Sequence, residues 1–372
     1  MIAGHERRGA TLHGLLSVLA ERTELIVATH SAALPAITKW IGSEHDIRTV
    51  AIGDAVDFTW WAQDACLPAV SDNGRPMLLL SATPAKRADT MVATAVADVI
   101  GFDAGNAAFE FEGGNVLVGS DLVLAGPDLG GVAFARGVTE AGQTVRLLAT
   151  RDRLAGPSIR WIDTPDGPAV EESLGHAGRR QPLFHLDVFV SLAGRGADGR
   201  QRILVGDSRM AIRDIDNRRL PLDRQSLVDE LDEIAAILGG SPDVEVIRNP
   251  LVIAPLDDDG LFRWSRRTLE QRFAGTDGLE DVLRGFDRSG LRGARVRRWR
   301  ALTQNGAIVL GQSGGGTVLL PTYSASRPFL RPAECHNAEI WRGLGFEVIE
   351  LGDFTDFAAD NGSPHCLFKP LR

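Results

Sequence analysis

Apolar residues recur along this chain in two rhythms. One is a run of about four to eight residues bounded by turn formers, as a strand requires; the other repeats every three to four residues, as one face of a helix does. The runs at 24–30 (ELIVATH) and 47–53 (IRTVAIG) predict strands, with a short helix over 32–42 between them. Helical spacing returns over 87–102 and ends near Gly101. The clearest helix is 227–240, where Leu227, Val228, Leu231, Ile234 and Leu238 share a face and Gly239 can stop it. The stretch 338–351 reads as a helix followed by a strand. The stretch 109–126 (FEFEGGNVLVGSDLVLAG) reads as a β-hairpin with Gly119-Ser120 near its turn. Strands alternating with helices predict an α/β fold. No fixed-period repeat is obvious. The segment 126–180, rich in Gly, Pro and Arg, reads as a loop-heavy insertion. No linker composition cuts the 372 residues, so one domain over 1–372 is expected, although the length alone suggests about two.

Composition narrows the partners more than the fold. Hydrophobic content of 44% and charged content of 24% are ordinary for a folded chain. A net charge of −9 and a pI near 5.4 argue against nucleic acid, which needs a basic footprint, and mildly favour cationic small molecules. The N-terminal LHGLLSVLA is short and followed by charges, and no run approaches the roughly 18 apolar residues of a membrane span. Neither a membrane nor a signal peptide is expected. Cys66, Cys335 and Cys366 are odd in number and widely spaced, with no Cys-x-x-Cys pair. A cysteine zinc site and a disulfide framework are therefore not expected, and reduced thiols in a cytoplasmic setting fit best.

Four stretches carry candidate chemistry. In QPLFHLDVFVSLAG (181–194), strand alternation would place Phe184, Leu186, Val188 and Val190 on one face and His185 with Asp187 on the other. The pair suits proton transfer near neutral pH, although from this segment alone a solvated sheet face is the preferred reading. In FEFEGG, Glu112 precedes Gly113-Gly114, where a bulge or a close backbone approach is expected; alone it also reads as an exposed strand end. In DFTWWAQDACLPAV (57–70), Asp64 lies near Trp60 and Trp61, as a cation site or as a cap beside a core tryptophan. Near the C-terminus, NGSPHC places Cys366 behind a glycine and a proline, as an apolar plug or as a nucleophile. Three carboxylates, a histidine and a cysteine suit a planar guanidinium better than a soft metal. The carboxylates can grip its N–H fork, the cysteine can attack its central carbon, and the histidine can move protons.

These stretches resemble, in the same order, motifs of the guanidino-group-modifying superfamily. WAQD resembles the W-x-[RQ]-D of agmatine and protein-arginine deiminases, FEGGNVLV the EGG(D/N)VL of arginine deiminases, and HLDVF their H-x-D strand. NGSPHC is similar to the glycine-rich segment before their nucleophilic cysteine, although it is not the GGGN-x-H-C of typical agmatine deiminases. The resemblance spans about 24–370. It implies the pentein fold, a five-bladed α/β propeller of ββαβ-like units. It implies Asp64 and Asp187 as guanidinium ligands, His185 as general acid/base, Glu112 as its orienter, and Cys366 as the nucleophile of a covalent amidino-thioether. It implies a small cationic guanidine as substrate and no cofactor or metal, and it is compatible with a homo-oligomer. The function it implies is that of a cysteine hydrolase, a deiminase that releases ammonia from a guanidine such as agmatine, arginine or an arginine derivative; the alternatives are an amidinotransferase with the same covalent step and a guanidine-binding protein without turnover. GQSGGGTVLLP (311–321) lacks the Gly-Lys-Ser/Thr end of a P-loop and reads as a glycine-rich hairpin. RGARVRRWR (292–300) reads as a solvated basic face. His365 is set aside as base because neighbours on an extended segment point apart. Cys66 and Cys335 read as core or incidental.

Overall fold

A computed structural model describes residues 2–41, 47–71, 73–83, 86–119, 122–126, 185–214, 225–255, 299–311, 315–360 and 362–371, together with short strands at 145–147, 159–160, 171–172, 262–263 and 295–296. The N-terminal helix α1 (Ile2–Ala20) leads into β1 (Leu25–His30), α2 (Leu34–Ile41) and β2 (Ile47–Ile52). β3 (Cys66–Val70), β4 (Pro76–Leu80), α3 (Arg87–Ile100) and β5 (Asp103–Asn106) follow, then β6 (Val116–Val118), β7 (Val123–Ala125) and β8 (Val145–Leu147). After the two-residue strands β9 (Ile159–Arg160) and β10 (Glu171–Glu172) come β11 (Val190–Arg195), β12 (Gln201–Asp207), α4 (Ser208–Asp214), α5 (Gln225–Gly239) and β13 (Val244–Pro255). The last part holds β14 (Phe262–Arg263), β15 (Arg295–Val296), β16 (Trp299–Thr303), β17 (Ile308–Leu310), β18 (Thr317–Thr322), α6 (Arg331–Gly343), β19 (Glu347–Asp353), α7 (Thr355–Ala359) and α8 (Pro364–Leu367).

One topology recurs that the sequence hid. β3 pairs antiparallel with β4, and α3 then carries the chain to β5, parallel to β4. β6–β7–β8, β11–β12–β13 and β17–β18–β19 repeat it, antiparallel first and parallel second. A parallel pair needs a long crossover, which α5 and α6 supply for the latter two sheets. β1 and β2, parallel and joined through α2, form the second half of the same unit. The units share topology without sequence period, because a strand needs an apolar rhythm and not a fixed residue. The α/β expectation therefore holds, and the described strands form separate sheets of two to four strands.

Helix packing supports each sheet. Leu231, Ile234 and Leu238 of α5 are fully buried against Ile203, Val205 and Val188, while Val228 is half-buried. Leu227's side chain lies outside the described residues. Gly101 ends α3 in the left-handed region (φ 72°), its N–H bonded to the Ala97 carbonyl. Of the glycine-rich 311–321 stretch, 317–321 lie in β18, which pairs antiparallel with β17, and 312–314 lie outside the described residues.

Three local expectations are corrected. His185 and Asp187 are not on a strand: 186–188 form a 3₁₀ turn, closed by Val188 N–H to His185 O and Phe189 N–H to Leu186 O, and β11 starts at Val190. Neither side of this turn is solvated, since His185 through Val190 are all buried. FEFE is not a strand either: Glu112 is extended just before a 3₁₀ turn at Gly113–Asn115, and the hairpin shrinks to β6 and β7. Pro364–Leu367 is a helical turn and not extended. Ser120, Phe184, Asn361, most of 126–180 and most of 292–300 lie outside the described residues. Within the basic run, Arg300 is buried and donates from Nε to the Ala359 carbonyl (2.8 Å), so a solvated face does not hold there. No helix among the described residues is long and apolar enough to cross a membrane.

Candidate active site

Two glycines organise the site. A side chain at Gly113 would overlap the Gln63 carbonyl, and one at Gly114 would lie 2.5 Å from His185 Nδ1 and 3.2 Å from Asp187 Oδ2. The 113–115 turn can therefore press against both the 63–64 segment and the 185–187 turn, which is the close backbone approach expected of the Gly-Gly pair. Glu112, at the entrance to this turn, places Oε2 2.7 Å from His185 Nε2. The Gly114 N–H bonds Asp64 Oδ1 at 3.3 Å.

The nucleophile candidate comes from the far end of the chain. Cys366 lies in α8; its carbonyl accepts from Gln63 N–H (3.1 Å), and the His365 N–H bonds the Gly306 carbonyl (3.0 Å). Gly362 packs so closely on the Trp61 ring that a Cβ would overlap it, and Gly306 does the same against Ser363. Cys366 Sγ is 3.4 Å from Ser363 Oγ and donates to Asp187 Oδ2 at 3.5 Å. The five residues singled out in the sequence, Asp64, Glu112, His185, Asp187 and Cys366, thus meet around the Gly113–Asn115 turn. Asp64, His185, Asp187 and Cys366 are all buried there. Trp60 is 46% exposed, while half-buried Trp61 packs against the core formed by α1, β18 and α7, as the alternative reading has it.

The sequence reading set one neighbour, His365, aside and missed two lysines. His365 Nδ1 is 2.9 Å from the same Asp187 Oδ2 that Cys366 contacts, because the helical turn aims both side chains at it. Lys86 Nζ lies 2.8 Å from Asp64 Oδ2, and Lys369 Nζ bonds the Gln63 carbonyl at 3.1 Å. One signal could have found the lysines. Among 40 Lys and Arg residues the chain has three lysines, at 39, 86 and 369, and two of them are here. A chain that uses arginine almost everywhere has kept an ammonium at these two positions, and the two cations are not interchangeable.

Burial and charge set the protonation states. Burial alone would push the His185 imidazole down, but the Glu112 hydrogen bond and the charges of Asp64 and Asp187 outweigh it and raise its pKa. Burial would raise Asp64, yet His185, Lys86 and the Gly114 N–H together bring it below the ordinary value. Cys366 is pushed well above the usual thiol range by burial and by the Asp187 and Asp64 carboxylates. Lys369, half-buried overall with its ammonium enclosed, is lowered by burial to about 8 despite Cys66, Asp64 and Asp187. The same surroundings thus favour the neutral thiol at Cys366 and the protonated imidazole at His185. Cys66 is buried, its thiol raised by burial, and Cys335 is partly buried.

Asp64, Glu112 and His185 bring potential metal-ligand atoms within 4.8 Å of one another, the one such group among the described residues. However, Lys86 already sits on Asp64, and His185 bonds Glu112 directly. A metal ion would have to break both contacts, so the donor set fits proton transfer and an organic cation better.

No family model matches the chain, and no curated protein matches its sequence. Solved structures do match in three dimensions. An agmatine deiminase of C. jejuni superposes with a TM-score of 0.54 at 12% identity, over 98% of this chain and 87% of that one. An agmatine deiminase of Enterococcus faecalis gives 0.54 at 13% identity, over 96% and 86%. With identities this low the match speaks for the backbone and not for the chemistry. Nearly the whole chain follows one course through space, so this protein has the α/β fold of the agmatine deiminases.

Proposed function

We propose that the protein is a guanidine deiminase, a hydrolase that replaces one guanidine nitrogen by oxygen and releases ammonia. One observation carries the reading. Asp187 is buried, its Oδ2 receives His365 and Cys366, and its Oδ1 has no hydrogen-bond partner among the described residues. Leaving a buried acceptor unpaired costs about 1–3 kcal/mol, so the native fold carries this cost for a ligand that brings N–H donors. A guanidinium brings several in one plane and is drawn to the carboxylates. Its central carbon would then lie near Cys366 Sγ.

The chemistry follows from the groups at hand. The thiol gives its proton to a neighbouring base as the cationic substrate stabilises the thiolate, and an S–C bond forms to the guanidinium carbon. Protonated His185 gives its proton to the departing nitrogen, the C–N bond breaks, and ammonia leaves an amidino-thioether on Cys366. Neutral His185, held by Glu112, then takes a proton from water. The resulting hydroxide adds to the same carbon, the C–S bond breaks, and a ureido product leaves with the thiol restored. In this reading the repeated units close into a five-bladed ring around the site.

The experiment is a panel of arginine, agmatine, peptidyl-arginine and guanidino acids, scored for ammonia and for ureido product. Equal release of both by the native protein, and neither by Cys366→Ala, supports the reading. Product that forms solely when an acceptor amine is added would make the protein an amidinotransferase. Binding without product would make it a guanidine-binding protein.

A further inference from the structure

Of the two carboxylates expected to grip a guanidinium, Asp187 has an open acceptor, whereas Asp64 already carries a cation. Lys86 Nζ lies 2.8 Å from Asp64 Oδ2, with side-chain exposures of 13% and 7%. The pair is built asymmetrically. Asp64 is fixed on its other oxygen by the Gly114 N–H and precedes β3, so the carboxylate does not depend on the lysine for its place. Lys86 stands just before α3, its N–H bonded to the Thr83 carbonyl, and reaches the site through a flexible four-carbon stem. Asp64 Oδ2 is its hydrogen-bond acceptor among the described residues.

We propose that the Lys86 ammonium is a resident stand-in for the substrate: it holds the Asp64 carboxylate in the ligand-free site and yields it when a guanidinium arrives. The proposal rests on the guanidine reading above. Its physical ground is that a buried carboxylate stripped of its partner is strongly destabilising, while exchange of one monocation for another never leaves Asp64 bare. The exchange also sets selectivity. A simple alkylamine offers Asp64 nothing that Lys86 does not already supply, whereas a guanidinium adds a planar fork that reaches Asp187 as well. It explains the residue type too. An arginine at 86 would lay its own guanidinium on Asp64 and imitate the substrate; lysine neutralises the carboxylate as a compact charge that leaves more readily.

The test separates this inference from the reading beneath it. Binding of agmatine and arginine is measured by calorimetry in the Cys366→Ala protein, so that no turnover intervenes, with Lys86 kept or changed to Met or Arg. The exchange predicts that Lys86→Met tightens binding of the better ligand at least about fivefold and that Lys86→Arg weakens it. In parallel, reductive methylation of the three lysines is followed by mass spectrometry. Lys86 should react several-fold faster at saturating ligand, while exposed Lys39 is unchanged. Weaker or unaltered binding in Lys86→Met, or Lys86 labelling indifferent to bound ligand, overturns the exchange and leaves Lys86 as a fixed partner of Asp64. No binding of either guanidine by the Cys366→Ala protein with Lys86 intact would overturn the guanidine reading, and this inference with it.

Discussion

Cys366 is held as a neutral thiol by its own surroundings, with burial first and Asp187 and Asp64 next. Because its pKa in the fold lies above that of a free cysteine, carbamidomethylation by iodoacetamide should climb at a higher pH than it does for a free cysteine. The same sign applies to stability: the contribution of this group is complete below about pH 8.5 and is lost as pH rises through the raised value. Half-maximal labelling of Cys366 near pH 8.5, in the folded protein, would contradict this. In the proposed mechanism Glu112 acts at one remove, through its 2.7 Å bond to His185. Changing Glu112→Gln keeps the size and loses the charge that supports a protonated imidazole. Expected is a fall in kcat of about 10²-fold, within the range general acid–base catalysis commands, with KM changed less than threefold and the alkaline-side pKa of the kcat/KM profile lowered. A KM effect alone would make Glu112 a binding group. At this scale the carboxylates, His185 and Cys366 were legible because their residue types and order resemble a known constellation. Lys86 and Lys369 were not, since a lone lysine carries no local pattern, and their meaning lies in the scarcity of lysine elsewhere.

Turns, rather than regular strands, position the chemistry. Gly113, Gly114, Gly306 and Gly362 each face an atom that a Cβ would crowd. In Gly362→Ala the methyl would meet the Trp61 ring, and in Gly113→Ala the rigid Gln63 backbone. Each should cost about 1–3 kcal/mol in chemical denaturation, the usual scale of overpacking, whereas Gly53→Ala, in open space, should cost under about 0.5 kcal/mol. Trp61→Ala combined with Gly362→Ala should recover part of the loss relative to the sum of the single changes. Strict additivity of the two would show that Gly362 and Trp61 are not in contact. Helices and long strands were legible: the 227–240 face, the stop at Gly101 and the strands at 24–30 and 47–53 all stand where the apolar rhythm put them. The rhythm misled at 109–112, which is irregular and leads into the 113–115 turn, and at 185–189, where alternation of apolar and polar types looks like a strand while hydrogen bonds within three residues close a 3₁₀ turn whose residues are all buried.

At the level of the whole molecule, residues that stand far apart in the chain are held together across the fold by the tail. Cys366 O receives Gln63 N–H, Lys369 Nζ reaches Gln63 O, and Leu367 and Phe368 pack on the core formed by α1, β18 and α7. Ending the chain after Leu367 would spare Cys366 and remove the lysine clamp with half-buried Phe368. The melting temperature should fall by about 1–2 °C, from roughly 1 kcal/mol of lost burial, and kcat/KM by about tenfold or more. Unchanged values of both would release the tail from any part in the site. The repeat of hairpin and parallel crossover was invisible in the sequence because topology is set by connections and not by residue identity, and α/β was as far as the pattern reached. The account as a whole stands on Cys366 forming a bond to a guanidine carbon. Acid-quenching the protein within milliseconds of mixing with its best guanidine, followed by mass spectrometry of the C-terminal peptide, tests this directly. The predicted result is a peptide containing Cys366 that is heavier by the amidino group of that guanidine, appearing before ureido product and absent from Cys366→Ala. Ureido product formed with no adduct at any quench time, and with Cys366→Ala fully active, would contradict it.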